Sequence, residues 1–191
     1  MAPPRWTNNF NFKTTSMKII YLILFSLYSC SLFGQQINPI IKNYGSIYDI
    51  PYADEKIDPS LDYNIVVEVV RASEKPEDVN WALNNVARLL NLHAMAGVAR
   101  EKLHVVLAIH GGAAFTVMND EAYKKKYKTG NPNLQLFQEL SEAGVKIFVC
   151  GQSLIARDID KDKMVPEVMI ASSMLTTMTT YQLKGYAQLV F

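Results

Sequence analysis

Cysteine is scarce in this chain: 191 residues hold two, Cys30 and Cys150. Cys30 lies in an N-terminal segment that reads as removable, so Cys150 is the one thiol expected in the finished protein, and no internal disulfide can form. Histidine is nearly as rare. The three of them, His93, His104 and His110, are too widely spaced to make a metal cluster. The chain has neither a G-x-G-x-x-G fingerprint nor a phosphate-loop lysine motif. An excess of one charge is also missing, with 19 basic against 18 acidic residues. No basic stripe is interleaved with aromatics, which excludes a nucleic-acid footprint. The one dense charge run, Lys124-Lys125-Lys126, reads as a solvated helix face. Together these absences imply no metal, no cofactor and no nucleic-acid partner.

An apolar run of membrane-spanning length, about 20 residues, is absent too. What the N-terminus has is shorter. Met17-Lys18 opens a run from Ile19 to Leu27 that is apolar except for Tyr21 and Ser26, and small or mixed residues lead to Gly34 and Gln35. A positive start, a short apolar core and a small residue before the cut describe a secretory signal peptide. The pattern predicts residues 1–34 as an upstream extension plus a leader running from 17 to 34, cleavage after Gly34, and export to the periplasm or beyond. No membrane span remains after cleavage. A competing reading takes Leu27-Tyr28-Ser29-Cys30 as a lipobox with Cys30 lipidated, and the bulk of Tyr28 argues against it. The basic residues Arg5, Lys13 and Lys18 leave with the leader, so the finished chain is slightly acidic.

The remainder is rich in hydrophobic residues, which make up 49% of the whole sequence. That suits one domain with a real core, here expected over residues 61–191. Residues 35–60, rich in Pro, Tyr, Asp and Asn, read as an extended arm lying on that domain. Ile37, Ile40, Ile47 and Ile50 are its expected anchors. The runs "YNIVVEVV", "KLHVVLAIHGG" and Val145 to Cys150 read as strands, with weaker ones at Val168 to Ala171 and Ala187 to Val190. Three- and four-residue apolar spacing predicts a helix from Pro76 to Ala96 through Val79, Leu83, Val86 and Leu90. Further helices are expected from Asn119 to Tyr127, from Leu134 to Ala143, from about Ser153, and from Ser172 or Ser173 to Lys184. Strands alternating with helices predict an α/β three-layer sandwich with a mostly parallel sheet of about five strands. The continuous apolar runs suit strands buried on both faces.

In such sheets ligands bind beyond the C-terminal strand ends. His110 closes the second strand and is followed by Gly111-Gly112. Cys150 closes the third and is followed by Gly151-Gln152-Ser153. Glycine lets backbone approach a ligand closely, and free N–H groups there can hold an anion. A thiol at a helix start has a lowered pKa. Cys150 and His110 are therefore the candidate catalytic residues. Gly111, Gly112, Gly151, Gln152 and Ser153 are the candidate ligand-binding ones. The bland alternatives are a buried, inert cysteine and a histidine bonded to a loop carbonyl. "GQSLI" lacks the final glycine of a serine-hydrolase elbow, and no third, orienting partner stands out for a thiol protease.

The segments "YNIVVEVV", "VNWALNNVARLLNLHAMAGV", "LHVVLAIHGGAAF", "NPNLQLFQELSEAGVKIFVCGQSLIARDID" and "TTYQLKGYAQLVF" together resemble the DsrE/DsrF-like family. The resemblance implies an α/β sandwich that assembles into homotrimers or hexamers. Its sulfur-relay members, of the DsrE/TusD type, carry sulfur as a persulfide on a cysteine after a strand, and Cys150 falls on that position. It thus implies a sulfurtransferase-like carrier with donor and acceptor proteins as partners. The alternative is a non-catalytic oligomeric module that binds a small ligand or anion, or is purely structural. Three features depart from the relay pattern: the export signal, the lack of a second cysteine, and Asp158 where many relatives have glycine.

Overall fold

The computed structural model describes residues 36–191. The expected leader, with its cleavage site and Cys30, lies outside the described residues. Strands β1 (Tyr63–Val69), β2 (Leu103–Ile109), β3 (Lys146–Cys150), β4 (Met169–Ala171) and β5 (Ala187–Val190) form one sheet in the order β4-β3-β2-β1-β5. All four pairings are parallel. Helices α1 (Trp81–Met95), α2 (Asp120–Tyr127), α3 (Leu134–Glu142), α4 (Gly151–Ala156) and α5 (Met174–Leu183) connect them. A 3-10 segment, Gly111–Val117, follows β2. This is the expected α/β sandwich.

Helix α1 starts five residues later than the apolar spacing predicts. Asn80 decides the start. Its side-chain oxygen accepts the N–H groups of Ala82 at 3.1 Å and Leu83 at 3.2 Å, which is an N-cap. β2 ends at Ile109, three residues short of the expected end at Gly112, because Gly111 opens a 3-10 segment; the other boundaries fall within one or two residues of expectation.

The strand order dictates how the faces are covered. From β1 through β4 the chain steps in one direction, then returns past the whole sheet to place β5 beyond β1. Crossovers between parallel strands are right-handed, so reversing direction puts the connection on the opposite face. Helices α1 and α3 cover the side bearing Ile65, Val67, Leu107, Ile109 and Ile147. Only α5 returns across the other side, where Val66, Val106 and Ala108 pack with Met178. One ten-residue helix cannot cover five strands. On this side Leu175, Leu183, Met169 and Val190 are left exposed.

Two sets of asparagines tie connections to the main core. Asn131 donates to the carbonyls of Thr116 and Met118 and accepts from Asn133, whose own oxygen accepts the Asn80 N–H at 2.8 Å. Asn91, on the buried face of α1, accepts the N–H groups of Ile40 and Ile41 and donates toward the carbonyls of Ile41, Tyr44 and Gly45. It thereby pins the arm. Ile41 and Ile47 are the buried anchors, whereas Ile50, expected among them, is exposed. Gly45 passes so close to α1 that a Cβ there would lie 2.3 Å from the Arg88 nitrogen, and its φ of +64° suits glycine.

Candidate functional site

Parallel register brings the ends of three strands level. Val69 is opposite Ile109, and Ile109 is opposite Val149. Successive side chains alternate in direction, so Glu68, His110 and Cys150 follow Val66, Ala108 and Phe148 onto the thinly covered face. Cys150 and His110 thus lie at the same C-terminal edge of the sheet, as parallel strands joined by crossovers require.

Their side chains do not pair. The His110 N–H donates to Val69 O at 2.9 Å, which holds its backbone to β1. Its ring leans the same way, with Nε2 donating to Glu68 Oε1 at 2.8 Å. A carboxylate only accepts, so this bond keeps a proton on Nε2. Both side chains are largely buried, 17% and 18% exposed. Cys150 lies on the other flank of β2, and the donors that surround its sulfur do not include His110. Glu68 is the residue that sequence reasoning missed. The available signal was a lone acid inside the apolar run "IVVEVV", two places from its end.

Cys150 is the N-cap residue of α4 and lies beside the start of α5. A thiol that exchanges sulfur with a partner is expected to be reachable from solvent, but Cys150 is buried, 6% exposed. The reason is the first turn of α5, which brings the Met174 N–H to the sulfur. Burial pushes the thiol pKa up. Against it act the Met174 N–H, then the hydroxyl and N–H of Ser153, then the Gln152 N–H, and the balance lies below the ordinary value of 9.0. Both helix starts therefore favour the thiolate, despite the apolar strand that delivers it.

The glycines of the site have packing reasons. A Cβ on Gly111, whose φ is +57°, would meet Val70 O at 2.8 Å, and one on Gly112 would meet Ala72 N at 2.9 Å. Gly111-Gly112 thus lets the loop after β2 lie against the chain leaving β1. A Cβ on Gly151 would stand 3.0 Å from Ala171 O on β4. The Gly111 N–H donates to Ser153 Oγ at 3.3 Å, which ties that loop to α4 beside the sulfur. Of the expected ligand-binding residues, Gln152 and Ser153 face the thiol, Gly111 reaches it through Ser153, and Gly112 and Gly151 serve backbone approach. Among the described residues no three His, Cys, Asp or Glu side chains gather as a metal cage.

Two solved structures share this fold. One is a protein of unknown function, MTH1491 from Methanobacterium thermoautotrophicum. It has 18% identity and a TM-score of 0.50, over 68% of this chain and all 100% of that one. The other is the ychN protein of E. coli, also at 18% identity, with a TM-score of 0.51 over 68% of this chain and 99% of its own. At that identity the likeness speaks for the fold. No curated protein matches the chain. The profile of the DsrE/DsrF-like family matches residues 65–191, which runs from β1 through the cysteine site to the last residue. The chain belongs to the DsrE/DsrF-like family.

Proposed function

We propose that this protein is a sulfur carrier that holds sulfane sulfur as a persulfide on Cys150. The reading rests on where the sulfur sits: Cys150 ends β3 as the N-cap residue of α4, and helix-start N–H groups with the Ser153 hydroxyl favour its thiolate in spite of burial. A cysteine that only fills space has no use for such donors. The thiolate is the nucleophile. It attacks the outer sulfur of a donor persulfide, a new S–S bond forms to Cys150, the donor's S–S bond breaks, and the donor leaves as a thiolate. An acceptor thiolate then takes the outer sulfur by the same exchange and returns Cys150 to its thiolate. No oxidant is consumed. The donors that favour the thiolate also favour the anionic persulfide.

The same proposal includes assembly into homotrimers or hexamers through the α5 face, whose exposed Leu175, Leu183, Met169 and Val190 want cover. It also includes export, with a finished chain starting near Gln35; N-terminal sequencing of secreted protein checks that start.

The burial of Cys150 favours a second reading, a non-catalytic oligomeric module whose cysteine packs. Mass spectrometry after incubation with a low-molecular-weight persulfide separates the two. A carrier gains the mass of one sulfur on Cys150, and Cys150→Ser does not. If the native protein gains nothing, or the serine variant gains as much, the packing reading stands.

A further inference from the structure

Helix α5 closes the sulfur site, yet its own sequence holds it weakly. Four residues of "MLTTMTTYQL" are threonine. A β-branched side chain loses rotamer freedom in a helix, so threonine is a poor helix former. Three of these hydroxyls turn back on the helix. Those of Thr176 and Thr177 donate to the Ser173 carbonyl at 2.9 and 3.0 Å, and that of Thr179 donates to the Leu175 carbonyl at 2.9 Å. The Ser173 carbonyl also accepts the Thr177 N–H at 3.1 Å, so one oxygen serves three donors at the helix start. Back-bonding of this kind competes with the helix ladder.

Packing adds little at that end. In α5 only Thr177 and Met178 are buried. Met178 anchors the middle of the helix among Val66, Val106 and Ala108. The first turn has no such anchor: Leu175 and Thr176 are exposed, and Met174 is half-buried. The chain reaches it from β4, an edge strand of three residues, none of them buried.

This turn lies directly on the cysteine. A Cβ on Gly151 would stand 3.0 Å from Ala171 O and 3.7 Å from Ser172 O, and the Met174 N–H reaches the Cys150 sulfur. The other donors to the sulfur, the Ser153 hydroxyl and the N–H groups of Gln152 and Ser153, belong to α4. Lifting the first turn of α5 would uncover the sulfur and leave those donors in place.

We propose that residues 172–176 are a lid over Cys150, which opens while the rest of the domain stays folded and so sets how fast the thiol meets a partner. Ser173 holds the lid shut by capping the Leu175 N–H at 3.2 Å, and Met178 is the fixed point from which it lifts. The purpose of the lid rests on the sulfur-carrier reading. Its test reads access to the thiol alone.

Iodoacetamide is the probe, applied to the native full chain on the high-pH plateau, where ionisation of the thiol no longer limits the rate. Mass spectrometry of the Cys150 peptide follows labelling. When the lid opens and closes faster than the reagent reacts, the rate tracks the open population. Ser173→Ala removes the cap and should speed labelling about fivefold. Thr176→Ala, at an exposed position, favours the helix and should slow it roughly threefold. Asn91→Leu, which destabilises the domain through the arm, should leave the rate near that of the parent, because the lid opens without global unfolding. The proposal is overturned if both lid variants label at the parent rate, if Asn91→Leu labels more than about tenfold faster, or if the native protein labels as fast as the chain in denaturant. Sulfur loading is read separately: a protein that takes up no sulfur, while both lid variants behave as expected, loses the carrier reading and keeps the lid.

Discussion

Ser153 stands between Gly111 and Cys150. Its Oγ accepts the Gly111 N–H at 3.3 Å, while its hydroxyl faces the Cys150 sulfur. The loop after β2 thereby fixes the direction of a donor that acts on the end of β3. Ser153→Ala removes the hydroxyl and leaves the Met174 N–H as the main restraint on the thiol. The expected result is a Cys150 pKa moved back toward 9.0. The pH dependence of alkylation by iodoacetamide measures it, and an unmoved midpoint contradicts the role given to Ser153. Linkage gives a second readout. The folded-state pKa is depressed, so the thiolate stabilises the fold above the unfolded value near 9.0, and that contribution fades as pH falls through the folded pKa. Ser153→Ala should flatten this slope.

Tyr123 carries the opposite sign. Burial, then the neighbouring Tyr127 and Glu77, push its pKa from 10.0 up to about 12. Its hydroxyl donates to Pro76 O at 2.8 Å. The folded state prefers the neutral phenol, so this stabilisation is complete below pH 10 and is lost as pH rises through 12. Allowing for partial solvent contact, the loss should be roughly 1–2 kcal/mol. Thermal melts from pH 9 to 12 should show it, and Tyr123→Phe should reduce the dependence at the cost of the Pro76 bond.

Asn91 and Gly45 hold the arm. Asn91→Leu leaves the N–H groups of Ile40 and Ile41 and three arm carbonyls without their partner. Gly45→Ala drives a methyl into the backbone of α1. Each should destabilise the domain by about 3 kcal/mol. Trypsin should then cut first after Lys42 or Lys56, and arm cleavage no faster than in the parent would refute this account.

Asp158 occupies the left-handed region with φ +52°. Glycine takes that conformation without strain. Asp158→Gly should leave the protein as stable or more so, by up to about 1 kcal/mol after the added freedom of the unfolded chain is counted. A lowered melting temperature would mean that the Asp158 carboxylate makes a stabilising contact in solution.

The proposed assembly face yields a mutational test. Leu183, 89% exposed, and Val190, 58% exposed, both lie on it. Leu183→Glu together with Val190→Glu should reduce a trimer or hexamer to monomers, since charge at an apolar contact is desolvated without a partner. Light scattering on parent and variant decides it. A parent that is monomeric at micromolar concentration removes the assembly proposal.

Most of the sheet was legible in the sequence because its signals are local. β-branched runs such as "IVVEVV" and "VVLAI" announce strands buried on both faces, and Gly144 and Gly185 mark the ends of helices. Cys150 and His110 could be placed on one edge, because parallel strands joined in one right-handed sense carry their ends to the same side. The family likeness could be read from the same segments.

Three matters only the tertiary structure decided. The partner of His110 is Glu68, because a diagonal contact across β1 and β2 depends on register and on which way the ring turns. The exposure of Cys150 depends on α5, which starts 24 residues later in the chain than the cysteine and closes over it only once the return crossover is in place. The thin cover of one face follows from strand order, which no local pattern encodes. Local propensity and periodicity specify what each segment becomes. Which side chains meet at the strand ends is set by long-range packing, in which residues far apart in the chain compete for the same few ångströms.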